Sequence, residues 1–102
     1  MKTKIIINKN DLYSGVENLL YRSGDNNYSL YAFDDGSCDA HHNTARHNGV
    51  EILNAYNLDP CDENGNYPGD ENYNYSQVAK WIVDETDYIK LELDDYEIEI
   101  EE

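Results

Sequence analysis

The sequence predicts an α+β domain in which a small antiparallel sheet is packed by two to three helices. Three observations lead to this prediction. The chain has 102 residues, which is the size of one domain with a single modest core. Apolar residues recur at helical spacing in several segments, and they alternate strictly with acidic residues near the C-terminal end. We therefore interpret residues 1–102 as one acidic α+β domain.

The first 36 residues predict a helix between two strands. Residues 5–7 are a β-branched run typical of a buried strand, and Asn10 or Asp11 is expected to cap the following helix. The aromatic-rich alternation over residues 28–33 predicts a strand that ends in a turn at residues 34–36. One apolar stripe marks the helix between these strands: Leu12, Val16, Leu19 and Leu20.

The middle of the chain predicts a second helix followed by a long loop. Asn43 or Thr44 is expected to open this helix, and Pro60 ends it. Residues 59–74 are rich in Gly, Pro, Asn and Asp and have no apolar period, so they predict an exposed loop. One face of the predicted helix carries Ala45, Gly49, Ile52, Leu53 and Tyr56.

The last third predicts a third helix and a β-structured tail. Asn74 and Gln77 have the spacing of a capping pair, and the helix is expected to end near Thr86. Over residues 89–101 apolar residues alternate with charged ones, with an interruption at residues 94–95. This pattern predicts two strands, or one bulged strand, with an apolar face and an anionic face. Three helix residues are expected to face inward: Val78, Trp81 and Ile82.

Negative charge is the most informative feature of the composition. The chain carries 22 acidic and seven basic residues, a formal charge of −15. Residues 59–102 hold 15 of the acidic residues and only two of the basic ones. A field of this sign repels phosphate backbones and anionic lipids, which argues against direct binding to nucleic acid or to a membrane. It favours a basic nucleic-acid-binding protein or nuclease complex as the partner.

The predicted C-terminal strand offers a candidate binding surface. Glu97, Glu99 and Glu101 would share one face at a spacing of roughly 6.6 Å, about one carboxylate for every second phosphate of a DNA strand. The alternative interpretation is a solvated face, of the kind that protects an edge strand from aggregation. Further acidic residues and aromatic anchors complete the candidate surface: Asp62, Glu63, Asp70, Glu71, Asp84, Glu85, Asp87, Asp94, Asp95, Tyr67, Tyr73 and Tyr75.

The cysteines and histidines are the candidate metal ligands. Cys38 and His41 have the spacing of a zinc-binding pair, which His47 and Cys61 could complete. Since no second paired motif is present, we favour exposed histidines and a buried cysteine, and we expect no cofactor. No Gly-rich phosphate loop, nucleophile elbow or Ser/His/Asp order occurs, so we expect no enzymatic activity.

The sequence also bears on localisation. No apolar run approaches the roughly 20 residues of a membrane span, and residues 1–10 lack the apolar core of a secretory signal. We expect a cytoplasmic protein that acts in a host cell, with both cysteines reduced.

In its size, its charge and its Glu-rich segment at residues 96–102, the chain is similar to small acidic inhibitors of the DNA-mimic kind. These are the anti-CRISPR and anti-restriction proteins that phages and mobile elements deploy against host defence nucleases. The resemblance implies a non-catalytic inhibitor that binds the basic nucleic-acid-binding groove of a CRISPR-Cas or restriction nuclease complex. Carboxylates would there pair with lysine and arginine.

Two alternatives stay open at this point. Residues 1–20, a short strand feeding a helix, resemble the start of barstar-type inhibitors, which implies an immunity protein that neutralises a basic nuclease toxin. The His/Cys group would instead indicate a small metal-binding regulatory domain.

Overall fold

The chain combines helices with short strands in an α+β arrangement, which confirms the predicted fold class. The structure is a computed structural model, and it describes residues 3–25, 27–44, 49–58, 60–89, 92–93 and 95–102. The helices are α1 (Lys9–Tyr21) and α2 (Tyr75–Glu85), with a 3-10 helix at Ala55–Asn57. The strands are β1 (Thr3–Asn8), β2 (Tyr28–Ala32), β3 (Cys38–His42), β4 (Val50–Asn54), β5 (Glu92–Leu93) and β6 (Tyr96–Glu101).

The strands form two small sheets. One is fully antiparallel, with the order β3-β2-β4. The other has the order β1-β6-β5, in which β6 pairs parallel with β1 and antiparallel with β5. Two strands, one of the two arrangements predicted for the tail, are therefore present, but they belong to a second sheet that the sequence did not predict. That sheet joins residues 3–8 to residues 96–101.

Helix α1 supplies the centre of the core. Its predicted apolar stripe is fully buried, and the helix packs against α2 and both sheets. The helix begins one turn earlier than expected. Asn8, not Asn10 or Asp11, is the N-cap, because its side chain accepts hydrogen bonds from the backbone N–H groups of Asn10 and Asp11.

The predicted second helix is wrong. Strand β4 and the 3-10 helix occupy the described part of this region, and Ala45 lies outside the described residues. The register of β4 against β2 shifts between Leu30 and Tyr31, so that Ile52 and Leu53 are both buried although they are neighbours in a strand. Adjacent apolar residues also occur on the buried face of a helix, so this pair indicated a helix in the sequence. Tyr56, expected on the buried face, is 70% exposed.

Helix α2 begins and ends where the sequence predicts. The Asn74 side chain accepts a hydrogen bond from the Gln77 backbone N–H at 3.1 Å, and Thr86 is the C-cap. The inward orientation expected of Trp81 is wrong, since its side chain is 41% exposed. Trp81 lies on the flank of the buried stripe, which consists of Val78, Ala79 and Ile82.

Gly15 sets the distance between α1 and the antiparallel sheet. A Cβ atom at this position would lie 2.7 Å from Leu30 Cδ1 and 3.1 Å from the carbonyl oxygen of Cys38. The leucine side chain can rotate, but the carbonyl group is fixed by the ladder between β2 and β3. The close approach of helix and sheet therefore requires a glycine.

We predict that Gly15→Ala destabilises the fold. Overpacking of about 1–3 kcal/mol should exceed the roughly 1 kcal/mol of helix propensity that alanine brings. Urea unfolding followed by circular dichroism measures the difference. Gly24→Ala is the matched control, because nothing lies within 4 Å of a Cβ atom there. Equal unfolding midpoints for the two variants would contradict this account.

Candidate partner-binding surface

The outer face of the first sheet carries the predicted row of carboxylates. Burial alternates along β6, so Glu97, Glu99 and Glu101 are exposed while Ile98 is buried. Strand β6 lies between β1 and β5; β1 pairs with it from Tyr96 to Glu101, whereas the two residues of β5 pair with Tyr96 and Glu97. The parallel register places residues of β1 next to this row. Three of these β1 residues are exposed on the same face: Lys4, Ile6 and Asn8.

A lysine interrupts the row. Lys4 forms an ion pair with Glu99, and both side chains are about half exposed. The hydrogen bond that Lys4 donates to Glu99, the charge of Glu99 and the charge of Glu97 together raise the pKa of Lys4 above its ordinary value. Exposed ion pairs of this kind contribute little to stability. The face nevertheless keeps a net negative charge, since the three glutamates outnumber the lysine.

A second acidic group lies where α1, α2 and the end of β6 meet. Lys9 Nζ lies 2.9 Å from Glu102 Oε1 and 3.3 Å from Asp84 Oδ1. The Tyr13 hydroxyl donates a hydrogen bond of 2.8 Å to the same Asp84 carboxylate. The hydrogen bond with Glu102 is the largest cause of the raised pKa of Lys9. Sequence reasoning missed Lys9, Tyr13 and Glu102, because only the fold brings them to Asp84.

The last turn of α2 carries two exposed acidic residues, Asp84 and Glu85, and no basic ones. Carboxylates at the C-terminal end of a helix are repelled by the negative end of its dipole. Asp87, two residues further on, is also exposed. This end of the helix therefore concentrates negative charge at the place where helix electrostatics disfavour it.

Two predicted contact residues of the loop are buried. Asp62 is 7% exposed, and Tyr73 is 5% exposed within the core. Oδ1 of Asp62 accepts hydrogen bonds of 2.9 Å from the backbone N–H groups of Asn64 and Asn66. Burial raises the pKa of Asp62, but these hydrogen bonds outweigh it, so the pKa lies below its ordinary value. The expectation that Asp62 and Tyr73 are exposed is wrong, because the loop folds around them; their contact with a partner stays a prediction.

The other predicted loop residues lie closer to solvent. Tyr75 is half-buried and stacks on Tyr21 with 3.9 Å between the ring centroids, and its hydroxyl accepts a hydrogen bond from Gly69 N–H. Asp95 is exposed at the start of β6, whereas Asp94 lies outside the described residues. The remaining exposed positions are Glu63, Tyr67, Asp70 and Glu71.

Strand geometry separates the candidate zinc ligands. Cys38 and His41 are three residues apart in β3, so their side chains leave opposite faces of the strand. Cys38 is buried, and burial followed by the charges of Asp11, Asp35 and Asp39 raises the pKa of its thiol to about 12. Cys61 is an exposed free thiol, and His47 lies outside the described residues. Among the residues that are described, no three potential ligands come together.

Comparison of the chain with protein-family models, with curated proteins and with solved structures finds no match. Neither helix in the described ranges combines the length and the hydropathy that crossing a bilayer requires. The fold and the surface together define a small α+β domain with an anionic sheet face.

We predict that Asp62→Asn lowers stability more at pH 7 than at pH 3. A carboxyl group with a lowered native pKa stabilises the fold above its unfolded pKa of about 3.9, and this contribution disappears as the pH falls through the native value. The variant should therefore approach the wild type in acid. Urea unfolding at both pH values measures this. Asp34→Asn, at an exposed turn position, is the control. A gap between variant and wild type that does not change with pH would refute the assignment.

Tyr73 in the loop and Tyr75 at the start of α2 should respond differently to loss of the hydroxyl group. The buried hydroxyl of Tyr73 has no hydrogen-bond partner in the described part of the chain. Tyr73→Phe should be neutral or stabilising by up to about 1 kcal/mol, because no bond is lost. Tyr75→Phe should cost about 0.5–1.5 kcal/mol, because the Gly69 N–H loses its acceptor. Thermal unfolding of both variants tests the pair, and the reverse order would be inconsistent with these contacts.

Proposed function

We propose that the chain is a non-catalytic inhibitor that occupies the basic nucleic-acid-binding groove of a nuclease complex by mimicking nucleic-acid charge. One observation carries the proposal. Glu97, Glu99 and Glu101 are exposed along one face of β6, which pairs with β1 over its whole length. Charged residues on a strand can serve only to prevent aggregation, but this row belongs to a chain whose formal charge of −15 exceeds what such protection needs. The row therefore calls for another explanation, and binding to a cationic surface supplies one.

The backbone of this row suits polyanion mimicry. Strand β6 is paired with β1 along its whole length and is held in place, so little conformational entropy is lost when its side chains meet a partner. The carboxylate spacing of roughly 6.6 Å is about twice the axial spacing of phosphates along one DNA strand. Lysine and arginine side chains are long and flexible enough to bridge this difference.

The acidic end of α2 gives independent support. Asp84 and Glu85 lie where the helix dipole disfavours anions, at an expected cost of about 0.3–1 kcal/mol for each exposed carboxylate. Lys9 relieves this repulsion for Asp84. Negative charge held at an unfavourable position is explained if the charge serves an interaction. Fast, electrostatically steered association is the advantage that such a field offers.

The class of the partner follows from chemistry and from resemblance. A groove that binds nucleic acid is lined with lysine and arginine, which complement this surface. The likeness to DNA-mimic inhibitors supports CRISPR-Cas or restriction nucleases of a host cell as the target. An immunity protein bound to a nuclease toxin would use the same surface, and the identity of a captured partner separates the two. The opposite orientations of Cys38 and His41 argue against the third candidate, a metal-binding regulatory domain.

We predict that neutralising the β6 row weakens partner capture by about tenfold or more at low ionic strength. The variant is the triple change Glu97→Gln, Glu99→Gln and Glu101→Gln. The immobilised chain is exposed to host extract, bound proteins are eluted with duplex DNA, and each eluted protein is titrated against wild type and variant. The control removes the same charge elsewhere on exposed or half-exposed positions: Asp11→Asn, Glu17→Gln and Asp34→Asn.

The eluted nuclease should also lose DNA cleavage when the wild-type chain is added, and higher salt should restore cleavage. Either of two results would count against the proposal. No protein elutes with duplex DNA, or the β6 variant and the control variant bind the eluted protein equally well.

A further inference from the structure

A cavity of about 280 Å³ lies between the beginning of the 60–74 loop and the first two turns of α2. We call it the Trp81 cavity. It is distinct from the β6 row, and no part of the function proposed above uses it. Its lining combines an indole, carboxylates, an amide and a thiol: Cys61, Asp62, Glu63, Gln77, Val78 and Trp81.

Trp81 gives this cavity an aromatic wall. The indole is 41% exposed although tryptophan is usually well buried, and the sequence contains no other tryptophan. The Tyr88 ring packs edge-on against it, with 6.4 Å between the ring centroids. Among aromatic side chains, indole offers the preferred surface for a cation.

The charges around the cavity also favour a cation. The N-terminal end of α2 by itself attracts anions, but the chain already supplies one there. The carboxylate of Asp62 accepts hydrogen bonds from the backbone N–H groups of Asn64 and Asn66, and the backbone N–H of Asn74, the N-cap of α2, also lowers its pKa. Glu63, also on the cavity wall, is exposed, and none of the described lining residues is basic. The free charge at the cavity is therefore negative.

Gln77 adds a neutral acceptor. Its Oε1 atom accepts one hydrogen bond of 3.2 Å from Asn74 Nδ2, which leaves a second lone pair on that oxygen. An entering group thus meets an aromatic face, a carboxylate at Glu63 and an amide oxygen. A planar group that carries several hydrogen-bond donors can make all three contacts at the same time.

We propose that the Trp81 cavity is the docking site for one arginine side chain of the basic partner. A guanidinium group is planar, stacks on indole and donates several hydrogen bonds in a fixed fork, whereas the ammonium group of lysine is a compact point charge. The proposal rests on the proposed function for the identity of the partner, but the cavity chemistry itself can be tested without that partner.

The probe is the peptide acetyl-Gly-Arg-Gly-amide, compared with its citrulline counterpart, which has the same shape without the charge. Trp81 fluorescence reports binding, since no other indole contributes. The arginine peptide should bind about three- to thirtyfold more tightly than the citrulline peptide, the sum of a cation–π contact and an exposed ion pair.

Two variants separate the cavity from the general acidic field. Glu63→Gln should lower the affinity for the arginine peptide by about two- to fivefold. Glu71→Gln makes the same charge change at an exposed position of the same loop that does not line the cavity, and it should leave the affinity unchanged.

Cys61 provides a second readout that does not depend on fluorescence. It lines the cavity and is exposed, whereas Cys38 is buried. Iodoacetamide should therefore alkylate Cys61 in the native protein, and saturating arginine peptide should slow that reaction. The citrulline peptide at the same concentration should protect the thiol much less.

The cavity proposal is overturned if the two peptides bind equally, if Glu63→Gln and Glu71→Gln weaken binding to the same extent, or if the arginine peptide leaves the alkylation rate unchanged. These outcomes differ from failure of the proposed function. A partner that elutes with duplex DNA, together with an inert cavity, removes only the arginine site. A cavity that binds the peptide, together with no DNA-eluted partner, removes the inhibitor function and keeps the site.

Discussion

The parallel pairing of β1 with β6 is the constraint on which the rest of the structure depends. It buries Ile5, Ile7 and Ile98 in the common core. It also pairs β6 over its whole length, and so fixes the glutamates on an outward face. Without β1, the β5–β6 hairpin would be an isolated two-stranded unit, which is marginally stable at best in water. The same pairing carries the start of α1 to the end of β6, where Lys9 meets Glu102.

The sequence correctly predicted the elements that are determined by residues close together in the chain. The apolar stripe of α1, the Asn74 cap of α2 and the alternation along β6 all depend on residues within a few positions of one another. Strand β4 was not predicted, because the burial of its two adjacent residues depends on the shifted register of its pairing with β2. The exposure of Trp81 was missed for a related reason. Its position at the edge of the buried stripe is decided by how α2 rests on α1.

The candidate surface was predictable in sign but not in detail. Alternating glutamates indicate an anionic face, yet nothing local reveals that Lys4 pairs with Glu99 across a parallel ladder. The polar composition of the loop predicted exposure of all its acids, and Asp62 contradicts it because two residues of the loop, Asn64 and Asn66, donate three hydrogen bonds to its carboxylate. The lysines of β1 and α1 are thus placed among the acids of β6 and α2, where they reduce the self-repulsion of a strongly charged chain.

The position of β6 in its sheet has a consequence for biosynthesis. It is made after every other strand that the structure describes, yet it lies between two of them. A nascent chain whose residues 96–101 are still inside the ribosomal exit tunnel has β1 without its partner, and residues 5–7 stay unpaired until β6 emerges, at a synthesis rate of about 5–20 residues per second. The first sheet is therefore the later of the two sheets to be completed.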